Sequence, residues 1–158
     1  MGTGGRGVIP ARSPVAHQGT CVAIGSRAIL IEGPSGTGKS ALALELIDRG
    51  ARLVGDDSLL LEGRDGALVA RPHPQTRGLI EVRNLGLVTL PVCDEARVAL
   101  LIRLDENAPR FIETAQIAER AGCALPMVRL WPAAAPLALK AELALRKYGL
   151  PSGERCTG

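Results

Sequence analysis

The sequence predicts a strand-rich α/β domain organised around a loop that cradles nucleotide phosphates, and three observations lead there. The run Ala28, Ile29, Leu30 and Ile31 is apolar throughout, as expected of a strand buried on both faces, and it enters a glycine-rich segment. Residues 39–49 follow with apolar positions at helical spacing. Much of the remaining chain is short apolar runs divided by Gly, Asp and Pro, the pattern of strands joined by turns.

A length of 158 residues suits one compact domain. The expected division is a flexible N-terminal tail over 1–16, a phosphate-loop domain over 17–150 and a flexible C-terminal tail over 151–158. Hydrophobic residues make up 46% and aromatics only 2%, so the core must be packed with Leu, Val, Ile and Ala. The net charge of +3 is scattered rather than clustered, which gives no argument for nucleic acid. No apolar run is long enough to span a membrane, and the first residues lack the apolar stretch of a signal peptide. Cys21, Cys93, Cys123 and Cys156 have neither metal-knuckle nor redox-pair spacing, so reduced thiols in a cytoplasmic protein are the simplest expectation.

Along the chain, residues 20–25 and 27–32 are split by Gly25 and Ser26, which predicts a hairpin. The helix over 39–49 places Leu42, Leu46 and Arg49 on one face, with Ala41, Leu44 and Ile47 beside them and Gly50 as its stop. Residues 52–54 form a short strand that delivers Asp56 and Asp57. Residues 58–62 and 67–71 flank Arg64, Asp65 and Gly66, a second hairpin signal. Strands are expected over 79–83, 85–90, 97–104 and 125–131. Residues 111–122 are polar enough for a surface helix or loop, and 135–148 read as a closing amphipathic helix.

Gly33, Pro34, Ser35, Gly36, Thr37, Gly38, Lys39 and Ser40 match the P-loop pattern: a glycine, four residues, then Gly-Lys-Ser. Glycines let backbone amides turn inward against phosphate, and the following helix aims its positive end at the same anion. Lys39 can reach the β- and γ-phosphates, and the Ser40 hydroxyl can ligate Mg²⁺. The segment is therefore expected to bind ATP. A chance Gly/Ser/Pro turn is the plain alternative, and the strand before and helix after argue against it.

Asp56 and Asp57 stand at the end of the next strand, where an open α/β sheet places its ligand crevice. One carboxylate there can take a proton from an attacking hydroxyl and another can help hold Mg²⁺, although an Asp-Asp-Ser turn is the ordinary alternative. Glu81 and Arg83 alternate with Ile80 and Val82, which puts both on one strand face. They are either a metal ligand with a phosphate partner or an exposed ion pair.

Three segments together resemble a known family. They are the phosphate loop itself, then Asp48-Arg49-Gly50-Ala51-Arg52-Leu53-Val54-Gly55-Asp56-Asp57, then Leu79-Ile80-Glu81-Val82-Arg83-Asn84-Leu85-Gly86-Leu87. In this order and at these intervals they are similar to HPr kinase/phosphorylase, in particular to its C-terminal catalytic domain in a short stand-alone form. The resemblance runs from about His17 to Leu90, with a weaker echo to about Tyr148. It implies a P-loop fold akin to phosphoenolpyruvate carboxykinase, which would make 17–150 a kinase domain. It also implies ATP- and Mg²⁺-dependent phosphorylation of a serine on HPr or an HPr-like phosphocarrier. Family members can remove that phosphate with inorganic phosphate, and full-length members form hexamers, so this domain is expected as a monomer or a homo-oligomer.

By the same resemblance Lys39 contacts phosphate, Ser40 and Glu81 hold Mg²⁺, and Asp57 is the proton acceptor. His17 resembles the family histidine that precedes the P-loop strand and joins the catalytic group, and Arg110 is the positional candidate for an active-site arginine. The sequence departs from the family pattern in several places. One extra residue separates His17 from the P-loop, Ala41 stands where an acidic residue is frequent, and Asn84 replaces a usual glycine. A catalytically silent nucleotide-binding regulator and a small-molecule kinase are the competing expectations.

Overall fold

The computed structural model of the protein describes residues 13–152. In chain order the elements are β1 (Val15–His17), β2 (Thr20–Ile24), β3 (Arg27–Glu32), α1 (Lys39–Asp48), β4 (Arg52–Gly55), β5 (Leu59–Arg64) and β6 (Ala67–Pro72). They continue with β7 (Leu79–Val82), β8 (Gly86–Thr89), β9 (Ala96–Leu104), β10 (Gln116–Arg120), β11 (Cys123–Leu130) and α2 (Leu137–Tyr148). The fold is α/β and rich in strands, as expected.

A 9-stranded mixed sheet runs in the order β1-β5-β6-β9-β3-β2-β4. It forks along β9, whose start pairs with β6 through Val69 and Ala70 and whose end pairs in parallel with β11 from Met127 to Leu130. β10 completes that branch, and β7 with β8 forms a separate hairpin. β3 is parallel to β9, and β4 is antiparallel to β2 as β3 is. β3, β4, β9 and β11 therefore all point one way. The chain leaves them at a common end through Gly33, Asp56, Asp105 and Trp131, which is where the loops of an α/β sheet collect a ligand site.

Two cores lie on the two faces of the sheet. Ile29 and Ile31 of β3 join Leu42, Ala43 and Leu46 of α1 and Ala141 and Leu145 of α2 on one face. Ala28 and Leu30 point into the other, with Leu59 and Leu61 of β5, Leu68 and Ala70 of β6, and Cys123 and Leu125 of β11. This double burial explains the uninterrupted apolar run of β3, because side chains alternate across a strand. Neither set of buried core residues contains an aromatic.

Most expected elements are present, with four corrections. The N-terminal tail was expected to reach Ala16, but Val15 and Ala16 pair with Leu61 and Leu60 as β1. Residues 1–12 and 153–158, the rest of the two expected tails, lie outside the described residues. Residues 116–120 are neither helix nor loop but β10, an antiparallel partner of β11. Arg83 falls in the turn after β7 rather than on the strand, since Asn84 takes a left-handed φ of 70° there. On α1 the buried stripe is Leu42, Ala43 and Leu46, while Ala41 is exposed. Cys21, Cys93 and Cys123 are free, with burial pushing the Cys21 thiol well above its ordinary range. Among the described residues no helix is long and apolar enough to cross a membrane.

Candidate functional site

The phosphate loop links β3 to α1. Gly33 sits so close to β9 that a Cβ would stand 2.9 Å from the Leu104 carbonyl oxygen, so only glycine fits. Gly38, the residue just before α1, has φ 100°, a left-handed conformation that glycine adopts without penalty. No side chain caps this helix start and no acidic residue lies in its first turn. The positive end of the helix dipole and its unpaired amides are thus left to meet an anion. Thr37 Oγ1 donates to the Pro34 carbonyl at 2.7 Å, and Lys39 Nζ curls over the loop to donate to the carbonyls of Gly33 at 3.0 Å and Pro34 at 3.1 Å. Ser35 and Gly36 form the loop tip, where Gly36 is also left-handed, with φ 80°.

Beside the loop, Asp56 leaves β4 and is 5% exposed. Its Oδ1 accepts from the Ser40 hydroxyl at 2.7 Å and from the buried Thr20 hydroxyl at 3.0 Å. Its Oδ2 accepts from the Glu81 backbone N–H at 3.2 Å. One carboxylate therefore ties the second residue of α1 to the start of β2 and to β7. Replacing Asp56 with Ala leaves three donors without their acceptor and is expected to cost about 3 kcal/mol. Urea unfolding measures that loss, and Asp56→Asn, which keeps an acceptor oxygen, should lose less.

Asp57, in contrast, is exposed and lies at the centre of a tight turn closed by Ser58 N–H on the Asp56 carbonyl at 2.7 Å. Its φ of 66° is left-handed, uncommon outside glycine and tolerated best by Asn and Asp. The Asp57 carbonyl accepts from the Gly19 N–H at 3.3 Å. That bond brings the segment after His17 against the turn. The two neighbouring carboxylates thus have separate settings: one is locked into the scaffold and one is displayed.

A second cluster adjoins the loop through Glu32, the residue before Gly33. Glu32, the last residue of β3 and 8% exposed, takes the Arg120 guanidinium in a fork, with Nε at 2.9 Å and Nη2 at 2.7 Å. Its Oε2 is also 2.7 Å from His17 Nε2. Burial alone would raise the Glu32 pKa, but the hydrogen bonds from Arg120 and His17 outweigh it and lower the value from 4.5 to about 2. A carboxylate depressed in this way stabilises the fold above its unfolded value, and that contribution fades as pH falls from about 4.5 toward 2. Urea unfolding across that window should show wild-type stability dropping, with the drop reduced in Glu32→Gln.

The expected site residues do not all converge. Lys39, Ser40, Asp56 and Glu81 are joined through the loop and the Asp56 bonds, and Asp57 and His17 stand beside them through Gly19 and Glu32. Glu81 and Arg83 are exposed, at the end of β7 and in the turn beyond it. Arg110 leaves the sheet at the correct end, after β9, but its guanidinium lies over the Phe111 ring at 5.6 Å. It lines a cavity of about 360 Å³ with Arg129, Trp131, Lys140 and Lys147, to which no phosphate-loop residue contributes. A larger apolar groove of about 940 Å³ runs along α1 from Gly38 and Ala41 to Pro136 and Leu139. Sequence reasoning missed Glu32, Arg120 and Thr20. Glu32 carried a signal, being the one acid closing an apolar strand directly before the loop. Arg120 carried none.

The Ser40 hydroxyl and the Asp56 carboxylate beside it are oxygen donors of the kind a hard cation takes. Asp56 bonds both the Ser40 hydroxyl and the backbone of Glu81, so the two expected ligands share one fixed partner. Among the described residues no group of three or more His, Cys, Asp and Glu side chains gathers as a metal site.

A strand, a glycine-rich loop, an uncapped helix start and a carboxylate locked to the loop serine define a P-loop phosphate-binding domain. Comparison with known proteins narrows the class. The model of the HPr serine kinase C-terminal domain matches residues 11–119, and the chain belongs to that family. The HPr kinase/phosphorylase of Clostridium beijerinckii is 49% identical over 70 residues, covering 44% of this chain and 23% of that protein. The HPr kinase/phosphorylase of Clostridium tetani is 41% identical over 85 residues, covering 49% and 28%. These matches span only about a quarter of the relatives' length. The structure of the Hpr(Ser) kinase/phosphatase from Coxiella burnetii superposes with a TM-score of 0.75 at 24% identity, over 84% of this chain and 94% of that one, and shares the fold.

Proposed function

We propose that this domain transfers the γ-phosphoryl group of ATP to a serine hydroxyl of HPr or an HPr-like phosphocarrier protein. The observation that carries the reading is the pairing of a displayed carboxylate, Asp57, with a buried one, Asp56, fixed to the phosphate-loop serine at 2.7 Å. A serine hydroxyl is a weak nucleophile, so transfer needs a base in reach and the phosphates held in line. The amides of Gly36 and Gly38 and the start of α1 receive the phosphates. Lys39 exchanges its two carbonyl partners for phosphate oxygens. Ser40 and Glu81 would hold Mg²⁺, which would supply positive charge against the phosphates, and Asp56 fixes Ser40 for that task.

Asp57 accepts the serine proton as the serine oxygen bonds to the γ-phosphorus. The bond to the bridging oxygen breaks, and ADP leaves with its electron pair. In the dephosphorylating direction an oxygen of inorganic phosphate bonds to the phosphorus, the serine O–P bond breaks, the serine oxygen takes a proton from Asp57, and pyrophosphate leaves. Arg83 and Arg110, each on an exposed loop, are the charge partners this reading assigns to the phosphates, and Arg110 would have to leave the Phe111 ring to reach them. Mass spectrometry of an HPr-like carrier incubated with the protein, ATP and Mg²⁺ tests the reading. A phosphoserine is the expected product, and an unmodified carrier with intact ATP binding would reject it.

A further inference from the structure

Two cavities flank α2, and they differ in chemistry. The smaller, of about 360 Å³, is lined by Arg110, Arg129, Lys140 and Lys147 and takes no residue of the phosphate loop. The larger, of about 940 Å³, begins at Gly38 of that loop and follows α1. Ala41, Glu45 and Asp48, three and four residues apart, share the outward face of α1 and form one wall. Pro132, Ala133, Ala135, Pro136 and Leu139 form the other. The groove has the size and the apolar lining of a small-molecule site, and Leu139 at its rim is 40% exposed.

Charge decides what kind of body fits. The polar side chains of the groove are Glu45, Asp48 and Arg49. Arg49 donates from Nε and Nη2 to the two carboxylate oxygens of Glu142, each at 2.9 Å, so no cation is left here for a phosphate. A neutral body suits these walls. No hydroxyl or side-chain amide lines them. The carbonyls of Ala134 and Pro136 are taken by Lys140, through Nζ at 3.0 Å and its backbone N–H at 3.1 Å. Two prolines in the same segment have no N–H to offer.

Position agrees with charge. In-line transfer puts the leaving nucleotide opposite the attacking hydroxyl. Asp56, Asp57 and Glu81 stand on the acceptor side in the reading above, and none of them lines the groove. We propose, resting on that ATP reading, that this groove receives the nucleoside of the phosphoryl donor and holds it by apolar contact. The site then requires a nucleoside but discriminates little between bases.

The test titrates the full chain, with Mg²⁺, against ATP, GTP and tripolyphosphate, which keeps three phosphates and lacks the nucleoside. ATP should bind about 10- to 100-fold more tightly than tripolyphosphate, the gain from burying one apolar body. GTP should follow within about 10-fold of ATP, because walls without hydrogen-bonding side chains cannot strongly reject a base. Ala133→Trp and Leu139→Trp, both at exposed positions, place a ring in the groove. Each should remove most of the ATP advantage and leave tripolyphosphate binding unchanged. Photolabelling with 8-azido-ATP should mark the groove residues.

Tripolyphosphate bound as tightly as ATP, or a preference of about 100-fold or more for one base, would overturn the proposal. Label on Arg110, Trp131 or Lys147 of the smaller cavity would overturn it too. So would tryptophan variants that leave ATP binding unchanged, or that weaken ATP and tripolyphosphate equally. None of these readouts depends on phosphoryl transfer. If the nucleotides bind as expected and no carrier is phosphorylated, the transfer reading alone fails.

Discussion

Asp57→Asn is expected to lower phosphoryl transfer by about 10²- to 10⁴-fold, the span attributable to one general base. ATP affinity should hardly change, because the side chain stands outside the phosphate loop and is exposed. The substitution is also conformationally clean. Asp57 occupies a left-handed φ of 66°, which asparagine tolerates and alanine does not. The Asp57 bonds to the rest of the fold run through its backbone, from Gly19 N–H to its carbonyl and across the turn from Ser58 to Asp56. Removing only the carboxylate's capacity to take a proton therefore leaves the turn standing. Single-turnover transfer and equilibrium ATP titration together separate the two effects. Equal losses in both would place Asp57 in binding rather than chemistry.

Lys39→Ala should act on both. The ammonium group is already confined to the loop by the carbonyls of Gly33 and Pro34. It is the chain's only lysine outside residues 140–147, so no neighbouring lysine can replace it. Charge-assisted hydrogen bonds to phosphate are worth about 1.5–3 kcal/mol each, so ATP affinity is expected to fall about 10- to 100-fold. Transfer should fall further, since charge on the migrating group goes unneutralised. Calorimetric titration with ATP reads the first loss, and transfer at saturating ATP reads the second.

The legible parts of this fold were those in which local pattern and tertiary role agree. β3 is apolar at every inner position because both faces are covered, and the glycines of the loop that follows answer to close approach and left-handed turns. The Asp65-Gly66 hairpin was equally plain, with both residues at positive φ in the structure. β10 was illegible for the opposite reason. Gln116, Ile117 and Glu119 are exposed on an edge strand, so no alternating apolar face marks it. The β1 strand is likewise mostly exposed, and its pairing with β5 cannot be read from Val15 and Ala16 themselves.

Within the site, the loop and the acidic pair were readable from spacing, but not the division of labour between Asp56 and Asp57. That division depends on burial and on Thr20 and Ser40, which approach Asp56 from separate elements. The Glu32–Arg120 fork joins residues 88 positions apart and depends on how β10 folds back, which no local motif encodes. Alternation placed Arg83 on the strand with Glu81, and the left-handed Asn84 ends that strand sooner.

The central claim is transfer of a phosphoryl group from ATP to a carrier serine at this loop. Its most direct measurement is label transfer from γ-labelled ATP, with Mg²⁺, to an HPr-like carrier and to the same carrier with its acceptor serine replaced by alanine. The account predicts label on the unaltered carrier with the wild-type protein, and none on the serine-free carrier or with Lys39→Ala. Absence of label from every carrier, with ATP still bound by the wild-type protein, would contradict it.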